Sequence, residues 1–136
     1  MITPGPCTIY LRDIQRGVHL PGDTYKLAIY TADANLSKAT TSYITAHEVK
    51  GKGYPPGGVV LTGIHFDEHR ACMSFDDACV PKATITARGG LIYNASKGNR
   101  AVAVTVFLDD HGKPCDVSST AAPFDVCGLA VELESA

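Results

Sequence analysis

His65-Phe66-Asp67-Glu68-His69 places three metal-ligating side chains, His65, Asp67 and His69, at alternate positions. Alternate residues of a strand share one face, so the three can converge on one ion. Zinc takes three or four such ligands in a tetrahedral array. The helical zincin motif needs Glu directly after its first His, and here Phe66 stands in that place. The segment is short, acidic and set among polar residues, so the plainer reading is a solvated strand edge. Five cysteines are the other reactive groups. Cys72 and Cys79 are separated by six residues, and Cys115 and Cys127 by eleven. Neither spacing is a C-x-x-C pair, which weakens zinc-ribbon and thioredoxin readings. Cys72 lies in an apolar stretch suited to a core; a Cys72–Cys79 bridge closing a short hairpin and two unconnected thiols fit equally well. Cys7, in a Pro/Gly-rich leader, and Cys115, after Lys113-Pro114, read as exposed. An odd count leaves at least one thiol that cannot pair within the chain.

Other catalytic signatures are missing. There is no Gly-x-Ser-x-Gly elbow, no Walker loop, and no dinucleotide fingerprint. Gly51-Lys52-Gly53 lacks the strand–helix context such a fingerprint needs. On its site chemistry the chain reads as no enzyme, with no cofactor. Asn35-Leu36-Ser37 and Asn94-Ala95-Ser96 match the glycosylation sequon, which matters only in a secreted protein.

The whole chain has 136 residues, a formal charge of −2 and 45% hydrophobic residues. That length suits one domain able to bury a core without disulfides or a metal. The near-neutral charge argues against nucleic-acid binding, which needs a basic surface to displace counterions. Aromatics at 7% are too sparse to build a base-stacking platform. No window reaches the ~20 apolar residues of a membrane helix, and the first residues do not read as a secretory signal.

The elements that would position these side chains are strands. Thr24–Thr31 alternates, with Tyr25, Leu27 and Ile29 on one face and Lys26, Ala28 and Tyr30 on the other. Ala34–Val49 reads as a loop with one helical turn. Gly51–Gly58 is a turn-rich break, and a strand begins at Val59. Lys82–Ala87 alternates again, Arg88-Gly89-Gly90 reads as a tight connection, and Leu91–Asn94 is a short strand closed by a turn at Lys97-Gly98-Asn99. Ala101–Leu108 is apolar on both faces, as in a central strand covered from both sides. Pro123–Glu134 holds the last strand material, broken at Gly128. The sum predicts an all-β fold, an antiparallel β-sandwich of jelly-roll-like or Ig-like type with seven or eight strands. Residues 1–22 form a flexible N-terminal arm with a first short strand, and 23–136 the single sandwich domain.

Three stretches, in this order, carry a resemblance. They are Tyr25-Lys-Leu-Ala-Ile-Tyr-Thr31; Tyr43–Val49 leading into Gly51-Lys-Gly-Tyr-Pro-Pro-Gly-Gly58; and Thr84-Ile-Thr-Ala-Arg-Gly-Gly-Leu-Ile-Tyr-Asn94 with Asn99-Arg-Ala-Val-Ala-Val104. Together they resemble a family of small tailed-bacteriophage virion proteins, over roughly Asp23 to Leu108, most specifically around Arg88. The chain departs from that pattern at His65–Cys79, at His111–Cys127 and in the leader with Cys7, so the cysteines look like additions to a shared scaffold. The resemblance implies a non-catalytic, homo-oligomeric component of a virion assembled in the host cytoplasm. It would be a capsid decoration or cement protein, or a neck or collar protein. Its partners would be other virion proteins: major capsid, portal, neck or tail proteins, with no nucleic acid and no membrane. In that setting at least one of Cys7 and Cys115 is expected to bridge to another chain, with Cys72, Cys79 and Cys127 as further disulfide candidates. A tail- or fibre-associated module binding a host-surface glycan is the alternative, hinted at by Tyr54 and His65–His69. A metal-dependent enzyme on His65, Asp67 and His69 is the third reading.

Overall fold

Alternating and doubly apolar segments have to bury their faces against one another, and here they do so in antiparallel sheets. The structure is a computed structural model that describes residues 2–18, 22–67, 72–76, 78–126 and 130–132. Among these, ten strands occur: β1 (Gly5–Pro6), β2 (Tyr25–Tyr30), β3 (Val59–Val60), β4 (His65–Asp67), β5 (Cys72–Ser74), β6 (Ala78–Ala87), β7 (Gly89–Asn94), β8 (Arg100–Val106), β9 (Val117–Val126) and β10 (Ala130–Glu132). They form a five-stranded sheet in the order β1-β8-β7-β2-β3, a three-stranded sheet β10-β5-β4 and a two-stranded ribbon β6-β9. Every strand pairing is antiparallel. The fold is all-β and sandwich-like, as the sequence predicts. The core draws on the five-stranded sheet (Leu27, Ile29, Leu91, Val102) and on the ribbon (Val80, Ile85, Phe124).

The centre of the large sheet follows the sequence closely. In β8, Ala101, Val102, Ala103 and Val104 are all buried, so both faces are covered. β7 is buried along its whole length. The β7–β8 connection is a 3-10 turn over Ala95–Lys97, closed by Gly98 and Asn99 with positive φ. Asn94 caps that turn through Ser96 N and donates to Asp23 at 2.8 Å. Its side chain is wholly buried, which removes Asn94 as a glycan acceptor.

The tight connection expected at Arg88-Gly89-Gly90 is instead a corner. β6 runs into β7 with only Arg88 between them, so one long strand leaves the ribbon and enters the large sheet. Strands that change sheets in this way make the corners of β-sandwiches. Arg88 N–H donates to Tyr30 O, and Arg88 O accepts from Phe107 N. β8 and β9 mirror the path, but between them residues 107–116 leave the ladder as a small hairpin. Phe107 and Cys115 pair at its base, and Leu108 bridges Pro114. Asp109 Oδ1 accepts from His111 N and Lys113 N, which stiffens the tip.

The N-terminal segment contains the expected first short strand, but its described residues 2–18 are packed against the large sheet and do not form a free arm. β1 pairs with β8, and α1 (Thr8–Gln15) follows directly. α1 turns Tyr10 and Asp13 inward, and Asp13 meets Arg100 on β8 at 3.2 Å. Cys7 N–H donates to Val102 O and Thr8 N–H to Lys38 O, so the leader is fastened from both sides. The helical turn expected within Ala34–Val49 is also absent: that stretch is turns and isolated bridges.

Candidate functional site

β2 sits between β7 and a broken partner on its other edge. Val59–Val60 pairs with Lys26 and Leu27, and further along Glu48 bridges Tyr30 while Val49 N–H donates to Ile29 O. Between these two short pairings the chain loops out over Lys50–Gly58. The gap would strand the N–H of Ile29, a costly loss in a buried strand. Tyr54 fills it: its hydroxyl accepts from Ile29 N at 3.0 Å. That hydroxyl then donates to Glu48 Oε2 at 2.5 Å.

Glu48 gathers the rest. Oε2 also accepts from Gly57 N at 3.0 Å, and Oε1 accepts from the Tyr43 hydroxyl at 2.6 Å. Among the described residues the partners of this buried carboxylate are three neutral donors. Two more tyrosines tie the same loops from outside: Tyr30 donates to Ile44 O, and Tyr93 to Gly57 O. The Tyr43 ring stacks on Tyr93 with centroids 4.8 Å apart and planes 23° apart. Four tyrosines from three segments therefore surround one carboxylate and fasten Tyr43–Gly58 to β2 and β7.

These phenols resist ionisation. Burial raises the pKa of Tyr30, Tyr43 and Tyr54, and for Tyr43 and Tyr54 the hydrogen bond to Glu48 raises it further. Burial likewise raises Tyr25, helped by the charge of Asp23. The consequence for stability has a definite sign. A phenol raised in the folded state ionises first in the unfolded chain, so its contribution is intact below about pH 10 and is lost as pH climbs towards the folded value. The fully buried Tyr25 and Tyr30 and the nearly buried Tyr54 together remove about 4 kcal/mol per pH unit above that point. A domain of ordinary stability is then expected to unfold about one to four units above pH 10. Circular dichroism and phenolate absorbance should change together. Phenolate absorbance completing near pH 10 with circular dichroism unchanged would count against it.

Chemically this arrangement holds backbone in place. Its carboxylate is engaged by three donors and its phenols are kept neutral.

The residues singled out by sequence are scattered. His65 is exposed on β4, the edge of the small sheet, in keeping with a solvated edge. His69 and Cys127 lie outside the described residues, as do the side chains of Asp67 and Cys72. No group of three potential metal ligands occurs among the described residues. β5 and β6, which carry Cys72 and Cys79, are not hairpin partners: β5 lies between β10 and β4, while β6 pairs with β9. Cys79 is exposed, across from Asp125. Cys115 is half-exposed at the base of the 107–116 hairpin. Cys7 overturns the expectation of exposure. It is fully buried just before α1, with its sulfur 3.8 Å from Ser37 O, and its thiol pKa is pushed up to about 12 by burial. A thiol so placed is neither ionised nor reachable, so Cys7 is no bridge to another chain in this fold. Tyr54 is likewise an inward strut, not an exposed aromatic. Glu48, Tyr43 and Tyr93 escaped the sequence reading as a cluster. The available signal is an acidic residue within a tyrosine-bearing motif, Tyr43–Val49 leading into Tyr54.

No protein family, curated protein or solved structure matches the chain.

Proposed function

We propose that this protein is a non-catalytic structural component of a bacteriophage particle, a capsid decoration or cement protein or a neck or collar protein, holding neighbouring subunits together. The observation that supports this reading most is where the resemblance residues meet. Tyr25–Thr31, Tyr43–Gly58, Thr84–Asn94 and Asn99–Val104 become β2, β7, β8 and the Glu48 cluster, one continuous scaffold in which Tyr43, Tyr54 and Gly57 N all bond to Glu48. A motif that serves architecture is what a many-copy subunit needs.

Contacts with neighbours fall to what the scaffold leaves outside. The 107–116 hairpin is exposed from Leu108 to Pro114, with Leu108 at 55% exposure. Val60 is equally exposed on the edge strand β3. Of the two thiols expected to bond another chain, Cys7 is buried and Cys115 is half-exposed, so Cys115 is the one that supports this reading. Mass spectrometry of purified particles should find this chain in multiple copies; its absence from the particle would remove the proposal. Non-reducing electrophoresis of the same particles should show a larger species that Cys115→Ser abolishes and Cys7→Ser leaves intact. A monomer band with and without reductant would reject the inter-chain bond.

A further inference from the structure

A second feature of the Glu48 cluster faces outward. A pocket of about 400 Å³ opens beside it, lined by Tyr43, Thr45, Glu48, Lys50, Tyr54 and Pro56. That size lies at the small end of ligand sites. We infer that this pocket binds a single sugar ring of a glycan, with Tyr43 as the stacking plate, Glu48 as hydroxyl acceptor and Lys50 as hydroxyl donor.

Tyr43 is fixed at two points before any ligand arrives. Its hydroxyl is held by Glu48, and its ring is stacked on Tyr93. A plate already immobilised loses little entropy on binding. The face of an aromatic ring is electronegative, so it favours the weakly positive C–H face of a pyranose. Glu48 Oε1 accepts from Tyr43 alone, whereas Oε2 accepts from both Tyr54 and Gly57. A carboxylate oxygen accommodates about two donors. One acceptor position on Oε1 therefore remains for a ligand hydroxyl.

The charges of the pocket select among ligand classes. A cation would suit the ring and the carboxylate, but it would meet the ammonium of Lys50, an exposed lining residue. An anion would suit Lys50 and meet Glu48. A neutral polyol with one apolar face uses both charges, one as acceptor and one as donor, and gains Thr45 as a third polar contact. The inference does not depend on the particle proposal: the pocket belongs to the single chain, and its failure would leave the particle proposal standing.

The test is amide chemical-shift titration of the intact protein with methyl β-glucoside, methyl β-galactoside and N-acetylglucosamine. At least one should give saturating shifts confined to Tyr43–Gly51, with an affinity of about millimolar. Lys50→Ala, at an exposed position, should weaken that sugar about fivefold to tenfold while leaving the spectrum otherwise folded. Tyr43→Ala should abolish it, whereas Tyr43→Phe, which keeps the plate, should retain it. Absence of saturable shifts with all three sugars would overturn the inference. So would shifts unaffected by Lys50→Ala, or larger shifts with guanidinium chloride at matched ionic strength.

Discussion

Glu48→Ala is expected to destabilise the protein by about 3–5 kcal/mol, a large part of the stability of an ordinary domain. The carboxylate is the common acceptor for Tyr43, Tyr54 and Gly57 N. Removing it strands the Gly57 N–H and the buried Tyr54 hydroxyl, and each buried donor without an acceptor costs about 1–3 kcal/mol. Tyr43, half-buried, can turn to water, so its loss is smaller. Glu48→Gln separates this account from one based on volume alone. The amide oxygen can take the Oε2 position and keep Tyr54 and Gly57, while its NH2 donates to the Tyr43 hydroxyl. The glutamine variant should therefore cost only about 1–2 kcal/mol. Urea unfolding of both variants measures the difference. Equal costs, or an alanine cost below about 1 kcal/mol, would mean that the cluster does not fasten the loop.

Gly58→Ala is expected to be as damaging, through backbone instead of hydrogen bonds. Gly58 has φ +92°, and a Cβ there would lie 2.0 Å from Leu27 O and 2.8 Å from Ala28 Cα. Those atoms belong to β2, the strand that β7 and β3 both pair with, so they cannot withdraw without opening the sheet. Gly57 is the internal control. It has the same φ of +92°, but its Cβ would meet only the Tyr93 hydroxyl at 3.5 Å. Gly57→Ala therefore carries the conformational penalty alone, about 1–2 kcal/mol. Gly58→Ala adds a clash with immobile backbone and should cost at least about 4 kcal/mol or prevent folding. Thermal melts of the pair decide it: similar melting temperatures would show that the loop does not press on β2 as described.

How much of this was legible in the sequence depended on how far each signal was local. β2 and β8 are legible as strands, because alternation in Tyr25–Tyr30 and doubly apolar character in Ala101–Val104 are properties of adjacent residues, although alternation suggests a half-buried strand and β2 is buried on both faces. The turn at Gly98-Asn99 was equally local. α1 was not, since Thr8–Gln15 buries only Tyr10 and Asp13 among its described side chains and shows no long apolar stripe. The burial of Cys7 is non-local too, set by β8 through Val102 O and by Ser37 O. At Arg88 the glycines suggested a turn, whereas they allow close packing: a Cβ on Gly89 would strike Thr105 O at 2.4 Å and one on Gly90 would strike Ala28 O at 2.8 Å. The Glu48 cluster was the least legible. Tyr30, Tyr43, Glu48, Tyr54 and Tyr93 are spread over sixty-odd residues, and only the return of the chain along β2 and β7 brings their hydroxyls together. Of the three candidate metal ligands, His65 alone has a described side chain, and it stands on an exposed edge.

In the proposed function this scaffold is a repeated subunit joined to its neighbours through what it exposes. A three-dimensional map of the intact particle tests that most directly. The expected result is symmetry-related density that accepts the five-stranded sheet and the β6-β9 ribbon, with the 107–116 hairpin against a neighbouring chain. A map with every density assigned to other proteins would contradict it.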